Sequence, residues 1–72
     1  MGYVVKISRK DGRELDKRQY LCIRDLNGDG KPDFVRATIR HAVVFETKEE
    51  ATSEAVLEYV NYFNYDYTIE EI

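Results

Sequence analysis

The sequence has few of the residues from which catalytic and metal sites are usually built. Its 72 residues include one cysteine, one histidine, one proline and no tryptophan. The single cysteine, Cys22, excludes an intramolecular disulfide, and the single histidine, His41, has no second histidine or cysteine close by in the sequence. The spacing of Cys22 and His41 does not support a pair of nucleophile and base. We therefore predict that the protein is not an enzyme.

Long apolar runs and export signals are also missing. No stretch is apolar over the roughly 20 residues that a membrane-spanning helix needs, and no secretory signal peptide is present. A membrane partner is therefore not expected, and the expected location is a reducing cytoplasm. The hydrophobic content of 43% and the six tyrosines predict a folded chain rather than a disordered one. The length fits one domain, residues 1–72.

The net charge of −3 conceals an uneven distribution along the chain. Residues 1–45 carry ten Lys/Arg against six Asp/Glu, a net charge of +4. Residues 46–72 carry one lysine against eight Asp/Glu, a net charge of −7. Two interpretations remain open: the two parts neutralise each other in the fold, or the acidic part forms a surface for a basic partner.

Alternation of apolar and polar residues predicts three β-strands. Segments 3–9 and 18–24 have the periodicity and the composition of strands, and residues 34–45 predict a third. The apolar residues at the start of this third segment fall on one face: Val35, Ala37 and Ile39. The other face would be partly exposed to solvent.

One helix is predicted from Lys48 to Asn64. Thr47 and Glu50 form a capping box, after which apolar residues recur at helical spacing. The predicted buried face consists of Ala51, Ala55, Val56, Tyr59, Val60, Tyr62 and Phe63. Residues 64–72 are expected to form a short extra strand or an ordered tail. The predicted fold class is α+β, with a three-stranded antiparallel sheet covered by one C-terminal helix in two layers.

Residues 25–33, DLNGDGKPD, alternate acidic or amide side chains with other residues and contain two glycines. Calcium binds carboxylate, amide and main-chain oxygens, and a loop of this kind supplies such a set. The candidate ligands are the side chains of Asp25, Asn27, Asp29 and Asp33 and the carbonyl of Lys31. An EF-hand is not expected, because Arg36 stands where the bidentate glutamate belongs.

The same loop resembles the nine-residue calcium loop of FG-GAP and VCBS repeats, which joins two β-strands. The resemblance implies the same ligand set, with Asp33 in place of the distant glutamate. The alternative is a hairpin turn, since Asn-Gly and Asp-Gly pairs are typical of such turns. Both interpretations remain open. Calcium is the one cofactor considered, and none is required.

The outer side of the predicted helix carries glutamates without basic partners. Glu50, Glu54 and Glu58 follow one another at a spacing of four residues, and no lysine lies at a pairing offset. A solvated surface is one explanation, and a contact surface for a basic partner is the other. The candidate partner-binding residues are Glu50, Glu54, Leu57, Glu58, Tyr65 and Tyr67, the tyrosines because this residue is favoured at interfaces.

A set of arginines offers a third possibility. Arg36 and Arg40 are predicted on the polar face of the third strand, with Arg18, Arg24, Lys17 and Tyr20 nearby on the second. Such a face suits a nucleic-acid backbone, but it is also typical of a solvated sheet. Because the C-terminal part is acidic, nucleic-acid binding tighter than the micromolar non-specific range is not expected.

Residues 40–55, RHAVVFETKEEATSEA, resemble a pattern of small bacteriophage and prophage proteins, in which A-x-x-F-x-T-x-E-E-A joins a sheet to one helix. The matching residues are Ala42, Phe45, Thr47, Glu49, Glu50 and Ala51. The resemblance implies a compact accessory protein that binds and modulates a host protein. Our first hypothesis is therefore a non-catalytic binding protein, monomeric or dimeric, that uses the acidic helix face. A calcium-binding domain is the second hypothesis, and a nucleic-acid-binding domain is the third.

Overall fold

The computed structural model describes residues 2–13, 15–25, 28–30 and 32–72. Along the chain its elements are β1 (Tyr3–Arg9), β2 (Tyr20–Arg24), β3 (Asp33–Ala37), a 3-10 helix (Ile39–His41), α1 (Lys48–Ala51), α2 (Glu54–Tyr62) and β4 (Tyr65–Glu71). The strands form one antiparallel sheet in the order β3-β2-β1-β4. The predicted α+β class is confirmed. In the described part of the chain, no helix combines the length and the apolar character needed to cross a membrane.

The sheet has four strands rather than the predicted three, because the C-terminal segment is a full strand. β4 pairs with β1 over its whole length, from Glu71 opposite Tyr3 to Tyr65 opposite Arg9. Asn64 has a φ of 57° and turns the chain out of α2 into this strand. Asparagine tolerates this left-handed conformation at the end of a helix better than most residues. The helical region is therefore not C-terminal.

The third strand is shorter than predicted. β3 ends at Ala37, and the 3-10 helix (Ile39–His41) follows in place of a strand that runs to residue 45. The alternation of apolar and polar residues was a misleading signal here, since the side chain of Ile39 is 54% exposed. The prediction for residues 38–45 is wrong.

After the 3-10 helix the backbone returns to the middle of the sheet. The N–H of Val43 donates to the carbonyl of Leu21 at 2.9 Å, and Tyr3 and Phe45 exchange two backbone hydrogen bonds of 2.8 and 2.9 Å. β1 and β2 pair directly at one register position, Lys6 opposite Tyr20. The returning segment therefore satisfies backbone groups that the separation of β1 and β2 leaves open.

The continuous helix predicted for residues 48–64 is broken in two. The cap at Thr47 is confirmed, because its hydroxyl accepts the N–H of Glu50 at 3.1 Å. α1, however, ends after one turn, and Ser53 is extended with φ −62° and ψ 161°. The hydroxyl of Thr52 donates to the carbonyl of Lys48 at 2.9 Å. Such side-chain bonds from threonine and serine to the backbone weaken a helix and favour a bend, which is consistent with the break at this position.

The core lies between the sheet and the two helices. Its buried residues are Val5, Ile7, Leu21, Ala51, Val56 and Val60. Because α2 starts again after the break, its buried face is narrower than the predicted one. Ala55 is exposed, and Tyr62 and Phe63 are 82% and 50% exposed. Within α2, Val56 and Val60 are the buried residues, one turn apart.

Candidate partner-binding surface

Where the structure describes the chain, the acidic C-terminal part makes no ion pair with the basic part. All the ion pairs among the described residues lie within residues 9–36, and residues 46–72 are described throughout. These pairs join arginines to two aspartates: Arg9 and Arg13 to Asp11, and Arg18 and Arg36 to Asp16. Among the described residues, the eight carboxylates of residues 46–72 therefore have no salt-bridge partner, and direct ion pairing there does not neutralise the two parts.

Four arginines of the basic part pair instead with aspartates of the same part, most closely at Asp16. The guanidinium and the backbone N–H of Arg18 each donate to this carboxylate at 2.9 Å, and Arg36 donates at 3.1 Å. The pKa of Asp16 is lowered to about 2. The hydrogen bonds from Arg18 are the largest cause, and the positive charge of Arg36 adds to them. Asp16 therefore stays ionised at neutral pH and occupies two arginines that would otherwise be open to the acidic part.

The outer face of α2 combines two of the predicted glutamates with an aromatic residue. Glu54 and Glu58 are exposed, and Tyr62 follows at the same spacing of four residues. Side chains at this spacing lie on the same side of a helix. The ring of Tyr62 meets that of Phe63 edge-on, with centres 4.9 Å apart and planes at 78°. We call Glu54, Glu58, Tyr62 and Phe63 the acidic–aromatic surface.

The two aromatic members of this surface were missed because the sequence pattern assigned them to the buried face. That assignment assumed one continuous helix, and the break shifts the phase of α2. The series of positions 50, 54 and 58 continues to 62, and this spacing was the signal that pointed to Tyr62. No comparable signal indicated Phe63, since it follows α2 and its exposure depends on the turn at Asn64.

The remaining predicted partner-binding residues occupy other surroundings. Glu50 belongs to α1, so the predicted ladder of three glutamates on one helix does not form. Leu57 is half-buried. Tyr65 and Tyr67 lie on β4 and pack against the core, and the ring of Tyr65 stacks on Phe63 at 5.6 Å. A role of these four residues in binding stays a prediction.

Tyrosine hydroxyls contact the acidic residues of β4. The hydroxyl of Tyr20 donates to Glu70 at 2.8 Å, and this bond is the main cause of the raised pKa of Tyr20. The negative charge of Glu71 is the largest cause of the raised pKa of Tyr3. Both phenols therefore remain neutral at physiological pH.

The loop of the calcium hypothesis curls back on its first aspartate. The Asp25 carboxylate accepts the N–H of Asp29 at 3.2 Å and that of Gly30 at 3.0 Å. Gly28 and Gly30 have φ values of 68° and 77°, which glycine adopts without strain. This geometry fits the turn interpretation, because the carboxylate holds the backbone of the loop.

The full ligand set of the calcium hypothesis is only partly described. Asn27 and Lys31 lie outside the described residues, and Asp33 begins β3 opposite Arg24. Where the structure describes the chain, no three His, Cys, Asp or Glu residues come together as a group that could hold a metal ion. Calcium binding stays a prediction.

If the loop binds calcium, millimolar calcium raises the melting temperature of the protein, because an ion bound only by the native state stabilises that state. Asp29→Asn should then reduce the rise, since it removes one ligand charge, and a chelator should reverse it. Thermal melts followed by circular dichroism measure both effects. Identical melts with calcium and with chelator would leave residues 25–33 as a turn.

The predicted arginine face does not form. Arg36 stands opposite Leu21 in the sheet and therefore on the side that the helices cover, where its guanidinium lies 5.9 Å from the centre of the Tyr65 ring. It also donates to the carbonyl of Arg18 at 3.0 Å. Arg40 lies in the 3-10 helix and is exposed. The prediction that Arg36 and Arg40 share one sheet face is wrong, whereas the absence of tight nucleic-acid binding stays a prediction.

Comparison of the chain with models of protein families, with curated proteins and with solved structures gave no match. The resemblance of residues 25–33 to FG-GAP and VCBS loops therefore stays a prediction, as does that of residues 40–55 to phage proteins.

Proposed function

We propose that this chain is a non-catalytic binding protein whose acidic C-terminal part binds a basic segment of a partner protein. The observation that carries the proposal is the distribution of ion pairs. The eight carboxylates of residues 46–72 have no salt-bridge partner among the residues that the structure describes, whose ion pairs all fall within residues 9–36. Charges of one sign that are not paired within the chain attract a partner of opposite charge and speed its encounter.

The acidic–aromatic surface supplies the second requirement of a binding site, which is apolar area. Tyr62 and Phe63 are exposed although their rings are large and apolar. Such rigid aromatic side chains are enriched at protein interfaces and often contribute most of the binding energy. Glu54 and Glu58 lie beside them on α2 and provide the charge. The arrangement suits a partner with lysines or arginines next to apolar residues.

Two further features concern the kind of partner and the location of the protein. The resemblance of residues 40–55 to phage proteins supports a host protein as the partner. The thiol of Cys22 is buried and free, which suits a protein of the reducing cytoplasm. In this proposal the chain binds and modulates its target without carrying out a reaction.

The test of this proposal is neutralisation of the two glutamates on α2. Glu54→Gln plus Glu58→Gln keeps the shape of the side chains, so the melting temperature should stay nearly constant. We expect association with a fluorescent Lys/Val peptide to slow by about ten-fold at low salt. The matched control is Asp29→Asn plus Asp33→Asn, measured without calcium, which makes the same change in net charge at exposed positions of residues 1–45.

Stopped-flow fluorescence measures the association rates, and a Glu/Val peptide of equal length serves as the probe of charge specificity. The proposal predicts that the Lys/Val peptide binds and that the Glu/Val peptide does not. Equal binding of the two peptides, or equal losses in the α2 variant and its control, would contradict it.

A further inference from the structure

β4 forms one edge of the described sheet. β4 pairs with β1 on one side, and no other described strand lies on its other side. Gly2 and Ile72 exchange two backbone hydrogen bonds, of 3.4 and 2.9 Å. Because bonded and non-bonded pairs alternate along an antiparallel ladder, this exchange fixes which backbone groups of β4 point outward. They belong to Tyr65, Tyr67, Ile69 and Glu71.

This edge lacks most of the features that protect sheet edges. Natural edge strands are usually short, or carry lysine, proline or a bulge. β4 has seven residues without proline or lysine, whereas β3 at the opposite edge has five and follows Pro32. One outward-pointing N–H of β4 already has an acceptor, because the N–H of Tyr67 donates to the Asp66 carboxylate at 3.1 Å. The N–H groups of Ile69 and Glu71 have no acceptor among the described residues.

The charges along β4 disfavour pairing with a second copy of the chain. If two copies of β4 paired antiparallel over their full length, Asp66 of each copy would stand opposite Glu70 of the other. Like charges directly opposite each other destabilise a strand pair. The same charges favour a strand that carries lysine or arginine at these positions.

We propose that an extended basic segment of the partner protein adds to the edge of β4 as a fifth strand of the sheet. This inference rests on the proposed function and states the mode of binding. Main-chain hydrogen bonds to Ile69 and Glu71 hold the segment, as in other cases of strand addition. The ring stack of Phe63 on Tyr65 connects this edge to the acidic–aromatic surface at the end of α2.

The two faces of β4 define the sequence that such a segment needs. Tyr67 and Ile69 face the helices and pack against the core, so the segment takes apolar residues on that face. Asp66, Thr68 and Glu70 lie on the other face, where the segment takes basic residues. An alternating basic and apolar sequence of about the length of β4 therefore fits the edge.

The test uses two synthetic peptides with the length and composition of such a segment. One alternates Lys and Val, and the other has the same residues with all lysines grouped at one end. Amide hydrogen exchange of the full chain, followed by NMR, reports the pairing. Thr68 and Glu70 bond to β1 and should exchange slowly throughout. On addition of the alternating peptide, the amides of Ile69 and Glu71 should slow by at least about ten-fold, because they gain acceptors.

The outcomes separate this inference from the proposed function. Binding of the alternating peptide without slower exchange at Ile69 and Glu71 would overturn strand addition and leave the acidic binding surface in place. Equal slowing by the grouped peptide would also overturn it, since alternation would then be irrelevant. Binding of neither peptide would overturn the proposed function. Slow exchange at both amides in the free chain, together with a dimer in sedimentation, would show a second copy at the edge instead.

Discussion

Val56→Asp is expected to unfold the protein or to leave it barely stable. The side chain of Val56 is 0% exposed, and no buried residue in the described core is polar or charged. A carboxylate at this position would lose its water without gaining a cation or a donor. An unpaired buried charge costs on the order of 5 kcal/mol or more, whereas a chain of this length has roughly 0.1 kcal/mol of stability per residue.

Ala55→Asp provides a matched control on the adjacent residue. Ala55 is exposed, and it lies in the first turn of α2, where the helix dipole favours a negative charge. We expect its effect on the free energy of unfolding to stay within about 0.5 kcal/mol. Urea unfolding followed by circular dichroism measures both variants. A loss for Ala55→Asp as large as that for Val56→Asp would place both residues on the buried face, as the sequence predicted.

Removal of residues 65–72 is expected to abolish cooperative unfolding. β4 pairs with β1 at every position from Tyr3 to Arg9, and its inward side chains Tyr65, Tyr67 and Ile69 pack against the core. Without β4, one side of β1 would have no strand partner, and the core would be open to water. A chain this small buries only about 60% of its unfolded surface, so it tolerates little loss of apolar contact.

The control for this truncation is removal of Ile72 alone. Ile72 is 57% exposed and exchanges one pair of backbone hydrogen bonds with Gly2, so its loss should lower the melting temperature only slightly. Calorimetry of the two truncated chains measures the difference. If residues 1–64 alone melted cooperatively near the temperature of the full chain, β4 would be an attachment to the fold and not part of it.

Local signals in the sequence predicted some elements well and others poorly. The alternation of β1 and the cap at Thr47 depend on neighbouring residues, and both appear as predicted. The break at Ser53 depends on the tertiary fold, since it lets Ala51 and Val56 both reach the core. A helical pattern continues through such a position, so periodicity alone did not reveal it.

β4 was only partly anticipated for a related reason. Its inward residues are two tyrosines and one isoleucine between acidic or polar residues, which is also the composition of a polar tail. Strand identity here comes from pairing with β1, a contact between the two ends of the chain. For the candidate site, Glu54 and Glu58 were predicted from charge spacing, whereas the exposure of Tyr62 follows from the changed phase of α2.

The most direct test of the central claim is a map of where a basic peptide binds. In an NMR titration with the alternating Lys/Val peptide, we expect backbone shifts at Glu58, Tyr62 and Phe63 and along β4, and we expect added salt to weaken the binding. Shifts centred on the basic part, around Arg24 and Arg40, or no shifts at low salt, would contradict it.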